Sequence, residues 1–212
     1  MSAGNCGNHA RRKSKSEVGL TAPMARICVY CGSNPGHRPS YAKAARELAE
    51  VLVANKFGLV YGGADKGIMG VIANAVLAAG GEVHGVIPRA LQDKEMAHQS
   101  LTALHVVASM HERKSMMADL SDGFIAMPGG FGTLEEIVEI LTWGQLQFHR
   151  KPCGLLNVDG YFDDLLRYLD HAVGEGFLRP ENRQMLLCDV TANGLLQQFA
   201  DYSAPLVEKW AT

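Results

Sequence analysis

One stretch narrows the folds open to this chain more than any other. An apolar run, Gly123-Phe-Ile-Ala-Met127, enters the turn Pro128-Gly-Gly-Phe-Gly-Thr133, and an amphipathic segment continues to Phe148. The run has the length and the glycine boundary of a buried strand. Glycine at positions 129, 130 and 132 lets the backbone turn sharply and approach a ligand with no Cβ in the way. A helix that starts there offers unpaired N–H groups and the positive end of its dipole. Strand, turn and helix N-terminus together predict an anion site, most often one for phosphate. Thr133 suits the N-cap, and Glu136 three residues later completes a capping box. From the residues alone, the glycines either cradle an anion or turn a corner, and Glu136 either caps its own helix or serves a ligand.

The rest of the chain repeats this alternation. Strands are expected at Arg26–Tyr30, Phe57–Tyr61, Glu82–Ile87, Leu104–Val107, Cys153–Asn157 and, briefly, Met185–Leu187. Helices are expected at Tyr41–Lys56 after Ser40, Ile68–Ala79, Met110–Ser121, Tyr161–Val173 and Ala192–Tyr202, while Arg89–Ser100 shows no clear period. The strands are apolar along their whole length, which indicates a parallel sheet covered on both faces: a Rossmann-like open α/β fold. Glycine loops follow the first, second and fifth strands, where such sheets bind their ligands. A dinucleotide fingerprint and a GKS or GKT loop are both missing, so neither a standard dinucleotide site nor a P-loop is supported.

The chain has 212 residues and a formal net charge of -2, which suits one domain with no general attraction to nucleic acid. Residues 1–23 are polar and carry Arg11-Arg12-Lys13. They read as a disordered extension ahead of a single domain at 24–212. No apolar run is long enough to span a membrane, and the first stretch lacks the apolar core of a signal peptide. Of five cysteines, Cys28 and Cys31 have CxxC spacing but lie on a strand, where residues three apart face opposite ways. Core thiols in a reducing, cytoplasmic compartment are expected, and the eight scattered histidines suggest no metal site.

Two helices carry unusual residues. On a wheel of Met110–Ser121, Arg113 falls within the apolar sector of Met110, Met116, Met117 and Leu120. It must pair with an anion or reach out to water, as a structural ion pair or as an arginine aimed at substrate or a catalytic carboxylate. In Thr133–Phe148, Leu134, Ile137, Val138 and Leu141 form the expected core face, and Glu136, Ile140, Trp143 and Gln147 a second one. An exposed Ile and Trp beside an acid suggest a partner surface, most simply a second copy of the chain.

Ser109-Met-His-Glu-Arg-Lys114 followed by Pro128-Gly-Gly-Phe-Gly-Thr-Leu-Glu-Glu136 resembles the LOG ("Lonely Guy") family of cytokinin riboside 5′-monophosphate phosphoribohydrolases. The likeness extends through Tyr61-Gly-Gly, Gly85-Val-Ile-Pro88, Asn157-Val-Asp-Gly-Tyr161 and Gly176-Phe177. It implies hydrolysis of the N-glycosidic bond of adenine-type nucleoside 5′-monophosphates to free base and ribose 5-phosphate, with no metal or cofactor; the partner surface described above makes a homodimer the expected form. The family's catalytic pair falls on Arg113 and Glu136. Its phosphate loop falls on Gly129, Gly130, Gly132 and Thr133, with Phe131, Leu134 and Glu135 carried in the same motif. Substrate-lining positions fall on Glu95, Lys114 and Thr142. Around Gln92-Asp-Lys-Glu95 the likeness keeps the acid but not all its neighbours, which bears on base recognition. Family members are often labelled lysine decarboxylases, yet no lysine here has an identifiable pyridoxal phosphate environment. The rival reading is a nucleotide carrier or sensor, which would use the glycine loop but not Arg113 with Glu136.

Overall fold

The computed structural model describes residues 25–92 and 97–205. The tail expected at 1–23 and the candidate Glu95 lie outside the described residues.

Seven strands form one parallel sheet: β1 (Arg26–Tyr30), β2 (Gly58–Tyr61), β3 (Val83–Pro88), β4 (Ala103–Val107), β5 (Gly123–Ala126), β6 (Cys153–Leu156) and β7 (Leu186–Asp189). Their spatial order is β4-β3-β2-β1-β5-β6-β7. β1 therefore lies at the centre, between β2, which Arg26 meets at Gly58, and β5, which Tyr30 meets at Ala126.

Side chains on β1 alternate across the sheet and divide the core in two. Ile27, Val29 and Cys31 join α1 (Pro39–Ala54), α2 (Gly67–Ala78) and α8 (Ala192–Ala200). Cys28 and Tyr30 join α4 (Met110–Asp119), α5 (Phe131–Gln145) and α6 (Asp163–Gly174) on the other face. Cys28 and Cys31 thus belong to separate cores, and both thiols are free. The hydrophobic contribution is large: each fully buried Leu or Ile, such as Leu48, Leu52 and Ile72, contributes about 1.5–3 kcal/mol. The three-layer arrangement is a Rossmann-like α/β fold.

Most expected elements are present, with shifted ends. α1 begins at Pro39 rather than after Ser40, because proline is preorganised for the first helical position; Ser40 instead donates to Asp159 Oδ2 at 2.6 Å. Two one-turn helices, α3 (Arg89–Gln92) and α7 (Pro180–Arg183), are too short to show a period.

The chain leaves β1 for α1 on one face and leaves β5 for α5 on the other. Crossovers that diverge from neighbouring strands open a crevice beyond their carboxyl ends. A cleft of about 420 Å³ lies there, lined by residues of the loops after β1, β2 and β5.

Candidate active site

The floor of the cleft is continuous with the sheet. Met127 N–H donates to Tyr30 O at 2.9 Å, and Gly32 N–H donates to Pro128 O at 3.1 Å, past the ends of the strands. The turn then enters α5 with Gly130 as N-cap, so Phe131, Gly132 and Thr133 fill its first three positions. Thr133 is therefore not the N-cap, and no capping box forms. Its buried hydroxyl packs against Gly129, where a Cβ would collide with it. Gly130 and Gly132 differ: a Cβ built on either meets nothing within 4 Å. The fold alone needs glycine at 129, whereas 130 and 132 face open space at a helix N-terminus, as an approaching anion requires.

Without a capping duty, Glu136 projects from the second turn of α5 into the cleft lining. Arg113 reaches it from α4. Ser109 starts α4 by accepting from Glu112 N–H at 3.1 Å, which places Arg113 in the next turn over the sheet edge. Arg113 Nε donates to Val86 O at 3.0 Å and Nη2 to Gly62 O at 3.3 Å. A Cβ at residue 62 would strike that guanidinium, so glycine there gives the arginine its path. Nη1 lies 3.7 Å from Glu136 Oε1, with Arg113 7 % exposed and the Glu136 side chain 11 % exposed. Both charges are held away from bulk water, where an electrostatic contact is stronger than on the surface.

Cys31 also lines the cleft. Burial pushes its thiol far up, and the Glu136 charge adds to the shift, so it stays protonated at neutral pH and supplies no thiolate nucleophile. Tyr41 and Tyr161 form an aromatic rim with ring centroids 5.7 Å apart, edge to face.

Of the candidates from sequence, Arg113, Gly129, Gly130, Phe131, Gly132, Thr133 and Glu136 meet at one cleft. Lys114, Leu134, Glu135 and Thr142 do not line it. Lys114 Nζ is held by Glu135 at 2.5 Å and Glu139 at 2.9 Å, and the Glu135 hydrogen bond raises the lysine's pKa. Thr142 is exposed and its hydroxyl donates to Val138 O one turn back. Leu134 is half-buried against the second core.

The expected outward face of α5 also needs correction. Ile140 is buried in the second core and Trp143 packs against it, while Val138, assigned to the core face, is 48 % exposed. The true buried stripe is Thr133, Ile137, Ile140 and Gly144, a neighbouring row on the same helix. The Met110–Leu120 sector divides similarly: Met117 is core, while Met110 is exposed beside the Arg113 guanidinium. Sequence reasoning gave no role to Tyr41 or Met69; they reach the cleft from the first turns of α1 and α2.

The chain is similar to known proteins. The family model described as "Possible lysine decarboxylase" matches residues 69–199. Arabidopsis thaliana cytokinin riboside 5′-monophosphate phosphoribohydrolase LOG3 is 46 % identical over 198 residues, covering 93 % of this chain and 92 % of that protein. The LOG5 protein of the same plant is 49 % identical over 177 residues, covering 84 % and 78 %. The chain belongs to the LOG family. Among solved structures, the molybdenum cofactor binding protein of Rippkaea orientalis superposes with a TM-score of 0.62 at 20 % identity, covering 85 % of this chain and 98 % of that one. The Moco carrier protein of Chlamydomonas reinhardtii gives 0.63 at 18 % identity, covering 84 % and 96 %. At that identity the two share a fold with this LOG protein and no more. The decarboxylase description finds little support in the cleft, where no lysine is among the described lining residues.

Proposed function

We propose that this LOG protein hydrolyses the N-glycosidic bond of adenine-type nucleoside 5′-monophosphates, cytokinin riboside 5′-monophosphates among them. The observation that carries this is Glu136 facing Arg113 across 3.7 Å in the cleft that also holds the Gly130–Thr133 helix start. The 5′-phosphate accepts from the free N–H groups at that start, which fixes the sugar beside Glu136. Breaking the C1′–N bond builds positive, oxocarbenium-like charge on the ribose, and a carboxylate stabilises it and orients the attacking water. Water adds its oxygen to C1′, and the base departs with the bonding electron pair and a proton, leaving ribose 5-phosphate. Arg113, tethered to two backbone carbonyls, faces the Glu136 carboxyl group with a fixed positive charge and holds it in place.

The active form in this reading is a homodimer. Glu135, Val138, Glu139 and Thr142 lie on one side of α5 at three- and four-residue spacing, with exposed Val138 in their midst and Lys114 bonded to both acids. A second copy seated there brings Lys114, Leu134, Glu135 and Thr142 to its own cleft. The compartment in this reading is the cytoplasm, consistent with four free cysteines among the described residues. No helix among the described residues is long and apolar enough to cross a membrane.

The test is chromatography of reactions with AMP and isopentenyladenosine 5′-monophosphate beside their unphosphorylated nucleosides. Free base released from the monophosphates alone is the expected result. Binding of the monophosphates without release of base would instead favour the carrier reading.

A further inference from the structure

Tyr161 lines the same cleft as Arg113 and Glu136, and the proposed reaction gives it no role. It follows a 3₁₀ turn at Val158–Gly160, yet its hydroxyl donates to Gly129 O at 2.6 Å, a contact between residues 32 positions apart. It is a directed bond from a half-exposed ring to the backbone of the glycine turn.

The peptide geometry gives that bond its meaning. In a trans peptide the C=O and N–H point in opposite directions. Two successive carbonyls of the turn are each held by an outside donor: Pro128 O by Gly32 N–H, and Gly129 O by the Tyr161 hydroxyl. The first bond aims the Gly129 N–H; the second aims the Gly130 N–H. Gly130 is the N-cap of α5, immediately ahead of the three N–H groups that have no partner within the helix. A Cβ at 130 would touch nothing within 4 Å, so side-chain packing does not fix this peptide plane. Glycine on both sides of this peptide leaves its plane softer than other residues would, and the Tyr161 bond is the hydrogen bond that holds its carbonyl.

Tyr161 is itself well braced. Its ring stands edge to face against Tyr41 and, at 5.1 Å, against Phe162. Asn157 accepts from Phe162 N–H at 2.7 Å and donates to Asp163 at 2.7 Å, while Ser40 on α1 donates to Asp159. The hydroxyl is thus presented by a turn fastened at both ends.

We propose that Tyr161 is a positioning residue for phosphate: its hydroxyl holds the Gly129–Gly130 peptide so that the N–H of Gly130 faces the bound anion. This rests on the reading that the turn takes the 5′-phosphate. It adds a specific claim: preference for a phosphorylated ligand depends on one phenol oxygen that does not touch substrate.

The experiment compares wild type with Tyr161→Phe, which keeps the ring and its edge contacts and removes only the donor. Ribose 5-phosphate binding is measured by calorimetry, and KM and kcat are measured with AMP. Loss of one such restraint is expected to weaken ribose 5-phosphate binding and raise KM for AMP by about tenfold, with kcat changed less than about twofold. Tyr168→Phe, which removes an exposed phenol on α6 outside the cleft lining, is expected to leave both values as in wild type. A merely structural role would lower the melting temperature without separating KM from kcat. Equal ribose 5-phosphate affinity in Tyr161→Phe and wild type would overturn the proposal while leaving the hydrolase reading intact. Wild-type protein that neither binds ribose 5-phosphate nor cleaves AMP would overturn both.

Discussion

Arg113 and Glu136 come from different helices and meet 3.7 Å apart, and the arginine is fastened to the carbonyls of Val86 and Gly62. The carboxylate is carried on α5, whereas the guanidinium, carried on α4, is held by carbonyls on β3 and just past β2. Their encounter therefore reports on the whole upper edge of the sheet.

Glu136→Gln keeps the shape of the side chain and removes its charge. Turnover of AMP is expected to fall by roughly 10²–10⁴, the range typical of a lost acid–base group, while AMP affinity measured by calorimetry changes little. Native turnover in this variant would remove Glu136 from the chemistry.

Arg113→Lys keeps the charge but not the planar fork that reaches two carbonyls and a carboxylate together. A loss of at least about tenfold in kcat is expected, together with a lower melting temperature, since the Val86 and Gly62 carbonyls lose directed partners. Arg113→Ala, which leaves Glu136 buried without its cation, should cost about 3–5 kcal/mol in denaturant unfolding.

The three glycines of the turn should separate fold from binding. In Gly129→Ala the new methyl meets the Thr133 hydroxyl, an overpacking defect of about 1–3 kcal/mol that calorimetry would read as a clear drop in melting temperature. Gly130→Ala and Gly132→Ala have open space around the methyl, so melting should stay within about 2 °C of wild type. Their phosphate affinity should nonetheless fall.

His149 gives the stability an acid-side slope. Nε2 faces Ile140 O at 2.8 Å and Nδ1 faces Lys151 N–H at 3.1 Å, so the ring donates at one nitrogen and accepts at the other, which only neutral imidazole can do. Burial lowers its pKa below the usual histidine value. The unfolded chain therefore takes up the proton first, and the stability His149 contributes above that ordinary value is lost as pH falls through the lowered folded one. The melting temperature of wild type should decline between about pH 7 and 5, and the gap between wild type and His149→Gln should narrow over the same range.

Val138→Glu places a charge on the outward side of α5 and is expected to convert a dimer to a monomer by light scattering without unfolding it. Trp143→Glu is the poorer probe, because Trp143 packs against the core. A wild-type monomer would remove the two-chain site.

The sheet was legible because its strands are apolar on both faces; β1 lies where its five residues predict. The helix face of α5 was not, because Leu134, Val138 and Leu141 form a stripe as apolar as the adjacent one that is buried, and a wheel cannot choose between them. Thr133 looked like a cap because hydroxyl residues usually fill that place, yet Gly130 takes it three residues earlier. For Arg113 the wheel showed that a partner was needed and could not say which; the partner sits 23 residues on, in another helix. The bond from Tyr161 to Gly129 has no local signature at all, since only the packing of β6 beside β5 brings the two together.

The bonds Met127 N–H to Tyr30 O and Gly32 N–H to Pro128 O carry the ladder of the sheet into the floor of the cleft. An anion arriving there finds amides already oriented, so little ordering entropy is charged against its binding. Amide hydrogen exchange at Met127 and Gly32 should accordingly proceed through global opening rather than through loop fluctuation. Occupancy and integrity are thereby coupled: ligand that binds only the folded chain protects the same hydrogen bonds on which the central strand pair depends.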